Sequence, residues 1–212
     1  MLNLSPTLVL VALTVGISIY AWSNQELMDK WVLNPYEVRR RGEWYRFIMS
    51  GFLHADLGHL LFNMLAFYSF SMIVEQVFVS YFGPTNGILY FLLLYLGGIV
   101  ISDIPTYLRH RNDPGYRSLG ASGGVASVIF SAILFAPTSK IGVFPLPPSL
   151  GIPGFIFGFL YLAYSYYMGR KRGDNINHDA HFYGALYGLV VTLVLIPKAG
   201  PHFWDQIRGF LS

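Results

Sequence analysis

The sequence predicts an all-α membrane protein, a bundle of six transmembrane helices with a first loop embedded in the membrane interface. Hydrophobic residues make up 54% of the 212 residues and charged residues only 12%, whereas soluble domains average about 25% charged. The mean hydropathy is +0.48. Six segments are apolar over roughly the 20 residues that a helix needs to cross a bilayer.

The six predicted spans follow one another without an internal repeat. The last three are 18 residues each and begin or end at glycine, proline or a charge. A span that stops short of one membrane face suggests a water-filled recess above it. In order, the spans are Leu4–Trp22, Gly58–Phe82, Gly87–Tyr107, Leu119–Ala136, Gly151–Met168 and Ala180–Pro197.

The first span and the loop after it need separate treatment. The span has neither a basic segment before it nor a convincing cleavage pattern, and there is no Arg-rich leader, so we expect a retained helix. The longest connection, Ser23–Leu57, carries Trp31, Trp44 and the run Arg39-Arg40-Arg41. It is too aromatic to be disordered, and we expect it to lie partly in the interface.

Composition excludes several classes of function. The chain has no cysteine, which excludes disulfides, Cys-ligated metals and a thiol nucleophile. A formal charge of +3 is mild for a nucleic-acid binder, so no nucleic-acid partner is expected. His178 and His181 lack a third metal ligand and the Glu of H-E-x-x-H. We therefore predict neither a metal nor a cofactor.

Polar side chains inside a span are costly and are candidates for function. His59 and Asn63 open the second span with i, i+4 spacing, and His54 precedes them. The side chains of His59 and Asn63 could therefore point into one cavity. The alternative is a polar helix start that bonds neighbouring backbone.

The run Gly120-Ala121-Ser122-Gly123-Gly124 opens the fourth span. Its glycines let backbone approach Ser122, whose amide at a helix N-terminus would favour an oxyanion. Small residues also serve tight packing between membrane helices, which explains most such runs. The nucleophile elbow of α/β-hydrolases fits poorly because no buried strand precedes the run.

The last span places His181 on a glycine stripe, with Gly184 and Gly188 three and seven residues later. These positions return to one side of a helix, so His181 faces a close neighbour. A structural histidine that bridges helices is the alternative.

Together these residues predict a Ser–His site. Ser122 needs a base, His181 can supply one, and His59 and Asn63 can donate to a developing oxyanion. The starts of spans two, four and six share one membrane face if the helices cross alternately. Asp179 lies about 200° around the helix from His181, so a dyad without an acid is expected.

At this point the sequence resembles the rhomboid family of intramembrane serine proteases. The resemblance implies one domain over residues 1–212 with a core of about 43–197. It implies Ser122 as nucleophile, His181 as general base, and His59 and Asn63 as oxyanion donors. Residues in supporting roles are His54, Gly120, Gly123, Gly184, Gly188, Trp44, Arg46 and Glu75. The matching motifs are Glu43-Trp44-Tyr45-Arg46, His54-x4-His59-x3-Asn63, Glu75, Gly120-Ala121-Ser122-Gly123 and His181-x2-Gly184-x3-Gly188.

The reaction implied by the resemblance is hydrolysis of a peptide bond in or beside the transmembrane helix of a single-pass protein, within the lipid bilayer. Substrate would enter past the fifth helix, around Phe155–Tyr167, and the segment Gly169–Asn177. The expected location is a bacterial inner membrane.

Two features depart from the family pattern. An aromatic residue four positions after the serine commonly packs on the catalytic histidine, but here Ala126 occupies that position. Either another ring fills the gap or His181 is held less firmly. The family's topology has a cytoplasmic N-terminus. That topology puts eleven Lys and Arg in the outer loops against three inside, the reverse of the positive-inside rule.

Two other functions compete with the protease. A non-catalytic rhomboid-like protein would bind membrane helices, although such relatives typically lack the serine or the histidine. A small transporter would line a polar path with residues such as Asp103 and His181, but transporter folds usually show repeats or paired broken helices.

Overall fold

The computed structural model describes residues 5–142, 150–171 and 176–212. Residues 172–175 of the predicted entry segment Gly169–Asn177 lie outside the described residues. The all-α class is confirmed, apart from a small antiparallel ladder of β1 (Lys140–Ile141) and β2 (Ile152–Pro153). The helices are α1 (Pro6–Trp22), α2 (Gln25–Trp31), α3 (Pro35–Arg41), α4 (Arg46–Met49), α5 (Leu57–His110), α6 (Ser122–Phe135), α7 (Gly154–Lys171), α8 (His178–Leu195) and α9 (Ala199–Leu211).

Helix α5 contains two of the predicted spans. Gly83 breaks it, with φ 78° and ψ 169°, and Pro84 can restart the helix because the first helical residue needs no N–H partner. The two arms, 57–82 and 84–110, match the second and third predicted spans. A Cβ on Gly87 would lie only 2.5 Å from Val79 Cα, so this glycine lets the second arm fold back closely on the first.

Helix α6 forms the centre of the bundle. Every residue from Gly123 to Leu134 is buried, and the helix packs against α5 and α8, with smaller contacts to α7 and α9. Its 14 residues span about 21 Å, which is short for a bilayer core of about 30 Å.

Helix α1 buries its small and polar side and exposes its apolar side. Leu8, Leu13 and Ile19 are exposed, an arrangement that suits lipid outside and tight helix packing inside. The buried positions are Thr7, Leu10, Thr14, Ser18 and Ala21.

Three short α-helices, α2 to α4, and a 3-10 helix at Ser50–Phe52 fill the Ser23–Leu57 connection. Asn24 caps α2 and Asn34 caps α3, because each side-chain oxygen accepts from backbone N–H groups of the first turn. Gly42 ends α3 in the left-handed conformation, at φ 71°. The connection is thus ordered, as its aromatic content predicted; its depth in the membrane interface stays a prediction.

Helix α9 was not predicted. It follows α8 after a bend of 108°, and the Gln206 side chain donates to the Phe135 carbonyl at the end of α6, at 3.0 Å. Phe210 lies edge-on to Phe155 at the start of α7. The last helix therefore lies across the ends of α6 and α7.

Each of the six predicted spans coincides with a helix or with one arm of α5. By length and apolar character alone, one of the described helices, α5, qualifies as able to cross a membrane, and the bent pair of α8 and α9 qualifies as a second if the two count as one span. The number of six spans stays a prediction.

Candidate active site

The two helices that carry the predicted nucleophile and base touch backbone to backbone. A Cβ on Gly184 of α8 would overlap the carbonyl oxygen of Gly123 in α6, and four residues later a Cβ on Gly188 would overlap Ser127 in the same way. Because a step of four residues along α8 matches a step of four residues in the same sense along α6, the two helices are parallel. Their starting residues therefore lie at the same end of the bundle.

A cavity of about 1070 Å³ opens at this end. Ser122, His181 and His59 lie on its walls. The predicted nucleophile, base and one predicted oxyanion donor are thus brought together from three separate helices. The cavity also has charged walls, which include Asp56, Arg109, Arg117 and Asp179.

His59 packs against the loop that leads into α6. A Cβ on Gly120 would lie 2.8 Å from His59 Cε1 and 2.9 Å from Nε2, and Gly120 has a φ of 123°. Glycine suits this position because it has no side chain to collide with His59 and because it tolerates a positive φ. The imidazole therefore lies beside the backbone two residues before Ser122.

Asn63 lies one turn further along the same helix as His59. Its side-chain amide donates to the His59 carbonyl oxygen at 3.0 Å, and the residue is 9% exposed. An amide nitrogen carries two N–H groups, and this bond uses one of them. Unlike His59, Asn63 is not among the residues that line the cavity, so its part in an oxyanion site stays a prediction.

His54 supports His59 from the buried side. Its ring lies edge-on to His59, with centroids 4.8 Å apart, and its Nδ1 is 3.0 Å from the Ser18 hydroxyl. The Trp22 indole donates to the His54 carbonyl oxygen at 2.7 Å. Burial lowers the pKa of His54 to about 3, with a smaller contribution from nearby His59, so the ring is neutral at physiological pH.

Two rings border the imidazole of His181. Tyr161 of α7 is nearly parallel to it, with centroids 6.0 Å apart and 24° between the planes. His178 lies edge-on at 5.8 Å. An aromatic ring thus lies beside His181, but it comes from α7 and not from the α6 position that Ala126 occupies.

Asn177 is a residue that sequence reasoning missed. Its side-chain oxygen caps α8 by accepting from the Ala180 N–H at 3.1 Å. Its amide nitrogen donates to buried Asp103 at 3.2 Å and to the Ser118 hydroxyl at 3.1 Å. One side chain thus ties the start of the His181 helix to α5 and to the segment before Ser122. An asparagine just before a helical segment is the N-cap signal that could have identified it.

Asp179 also lines the cavity. Its carboxylate forms an ion pair with Arg109 at the end of α5, consistent with the expectation that it does not orient His181.

Three supporting residues named from the motifs lie elsewhere in the fold. The buried Arg46 guanidinium pairs with Glu43 at 2.6 Å and also donates to carbonyls of the first loop. Trp44 packs on Tyr107 of α5, with ring centroids 5.5 Å apart. Glu75 accepts bonds from Ser5 and Thr7 and so fastens the start of α1. All three hold the scaffold together.

Among the described residues, no group of three or more His, Asp or Glu side chains is arranged to hold a metal ion.

Comparison with known proteins adds a family assignment. Residues 41–198 match the Rhomboid domain. YdcA of Bacillus subtilis is 30% identical over 157 residues, which is 74% of this chain and 70% of YdcA. Rhomboid protease GluP of Bacillus subtilis is 27% identical over 179 residues, and presenilin-associated rhomboid-like protein A, mitochondrial, of Danio rerio is 29% identical over 185. These two matches cover 84% and 76% of this chain but only 31% and 42% of the relatives.

Proposed function

Because the chain belongs to the rhomboid family of membrane proteins, we propose that it is an intramembrane serine endopeptidase with Ser122 as nucleophile and His181 as general base. One observation carries the proposal: Ser122, His181 and His59 lie on the walls of one cavity. The close contact of Gly184 with Gly123 supports it.

The proposed reaction uses the side chains of Ser122 and His181, water and hydrogen-bond donors of the same chain. His181 takes the proton of the Ser122 hydroxyl as the oxygen attacks a peptide carbonyl, and then gives it to the leaving amine. In deacylation His181 takes a proton from water as its oxygen attacks the acyl carbon, and returns that proton to the Ser122 oxygen as the acyl–serine bond breaks. The backbone N–H of Ser122, His59 and the remaining N–H of Asn63 are the donors proposed for the oxyanion. The start of α6 adds the positive end of its helix dipole.

The short central helix supports a reaction below the membrane surface. If the far end of α6 reaches one face of a core of about 30 Å, its span of about 21 Å leaves Ser122 about 9 Å beneath the other. The charged walls of the cavity would keep water there. We therefore propose a six-span bundle with an interface-embedded first loop, and as substrates single-pass proteins whose helices unwind near the cut.

The proposed location is a bacterial inner membrane, with a cytoplasmic N-terminus and the cavity open to the outside. This follows the family's topology against the count of basic residues.

The test is covalent labelling with a fluorophosphonate, read as intact mass in mild detergent. We expect one adduct on Ser122 in the wild type, and none in Ser122→Ala or His181→Ala. Ser69→Ala and His202→Ala, on exposed residues outside the cavity, are the matched controls and should label normally. No adduct on the wild type, while GluP labels in parallel, would contradict the proposal and favour a non-catalytic protein that binds transmembrane helices.

A further inference from the structure

One face of α6 looks toward α7. Ser122, Ala126 and Phe130 follow at four-residue steps and so share that face. At its far end, a Cβ on Gly158 of α7 would lie 3.4 Å from the Phe130 ring. Phe130 and Tyr161 are also in contact, with ring centroids 5.5 Å apart.

Tyr161 and Ala126 lie at the same level of the bundle. Helix α6 begins at the cavity, whereas Met168, near the end of α7, lines it, so the two helices are antiparallel. From Phe130 to Ala126 the rise toward the cavity is about 6 Å, and from Gly158 to Tyr161 it is about 4.5 Å. Because the side chain of Ala126 is only a methyl group, it leaves space between α6 and α7 at the height of the Tyr161 ring.

The tyrosine ring is held from two sides. Phe130 contacts it from α6, and Phe157 lies one turn earlier on α7, with centroids 5.7 Å apart. The ring in turn lies nearly parallel to the imidazole of His181. Aromatic contacts of this kind fix ring orientation beyond what burial alone provides.

We propose that Tyr161 is the positioning residue of the His181 imidazole, replacing an aromatic side chain that position 126 lacks. The inference rests on the proposed function, since it assigns the orientation of the general base to α7, whereas the nucleophile belongs to α6. Helix α7 buries only Gly154, Gly158 and Ser165 of its 18 residues. Such a peripheral helix is displaced more easily than a central one, and any displacement takes the ring away from His181.

The experiment compares labelling rates of Ser122 by a fluorophosphonate. Tyr161→Phe keeps the ring and should label like the wild type. Tyr161→Ala should label between about twofold and tenfold more slowly, the range that aromatic pair energies convert to. Adding Ala126→Phe to Tyr161→Ala should restore the rate. Tyr81→Ala, on a tyrosine of α5 that is 56% exposed, is the matched control.

Two results would overturn the inference. Tyr161→Ala could label at the wild-type rate. Alternatively, it could label slowly with a lower thermal unfolding midpoint and gain nothing from Ala126→Phe, in which case the ring acts only by packing on Phe130.

A second measurement separates this inference from the proposed function. In a histidine NMR spectrum, the His181 Cε1–H resonance is assigned by its loss in His181→Ala. It should shift in Tyr161→Ala but not in Tyr161→Phe or Tyr81→Ala, because only the first removes the aromatic ring next to the imidazole and with it the ring current. No shift would overturn the inference, whereas a wild type without an adduct would overturn the proposed function.

Discussion

Replacing Gly184 with alanine is expected to push apart the helices that carry Ser122 and His181, and so to slow labelling of the serine. The added Cβ would lie 2.9 Å from both the Cα and the carbonyl carbon of Gly123, and closer still to its oxygen. These are backbone atoms, so no side chain can rotate out of the way. Ordinary contact begins at 3.4–4 Å, and because the oxygen is closer than either carbon, α8 must retreat by about 1 Å.

The magnitude follows from two opposing effects on stability and one effect on geometry. Overpacking costs about 1–3 kcal/mol, whereas alanine stabilises a helix by about 1 kcal/mol relative to glycine, so the net destabilisation is about 0–2 kcal/mol. A misplacement of about 1 Å between catalytic groups can slow a reaction by about 10²-fold. Reactivity should therefore fall much more than stability.

The assay measures the fluorophosphonate labelling rate and the thermal unfolding midpoint of the same preparation. Gly16→Ala is the matched control, because nothing lies within 4 Å of a Cβ at that position in α1. It should gain about 0.5–1 kcal/mol of stability and label at the wild-type rate. If Gly184→Ala also labelled at the wild-type rate, backbone contact between α6 and α8 would not set the distance between nucleophile and base.

Two other substitutions separate the site from the scaffold. Asn177→Ala removes the cap of α8 and leaves buried Asp103 without the Asn177 donor. The free energy of unfolding should fall by about 1–3 kcal/mol, and the labelling rate should fall at least a few fold. An unchanged labelling rate would show that the cap does not position His181. Glu75→Gln weakens the hydrogen bonds from Ser5 and Thr7. The thermal unfolding midpoint should drop, while the folded protein should label at the wild-type rate. A slower labelling rate at a temperature where the variant is folded would refute a purely structural role.

The predicted spans and the glycine stripe could be read from the sequence because both depend on local periodicity. Gly184 and Gly188 return to the side of α8 that carries His181, and this side meets α6 in the structure. The grouping of Ser122, His181 and His59 followed from alternate crossing of helices, a rule of chain topology. Periodicity also identified the two arms of α5, although they form one helix with a break at Gly83.

Contacts between residues far apart in the sequence could not be predicted from local periodicity. Helix α9 begins at Ala199, and its position depends on the Gln206 side chain reaching Phe135. Tyr161 is one of several tyrosines on α7, and nothing in the local sequence distinguishes the one that meets His181. Asn177 had a local signal as a helix cap, but its bonds to Asp103 and Ser118 required the fold.

The arrangement assigns two properties of the proposed dyad to different parts of the fold. The distance between Ser122 and His181 is set where Gly184 meets Gly123, and this contact between two backbones lies in the buried centre of the bundle. We infer that the orientation of the imidazole is set by a ring on α7, a helix of which half the residues are exposed. Because central packing yields less easily than a peripheral helix, the distance should stay fixed while the orientation follows α7. A site built in this way could change its reactivity through movement of one outer helix, without disturbing the contact that brings nucleophile and base together.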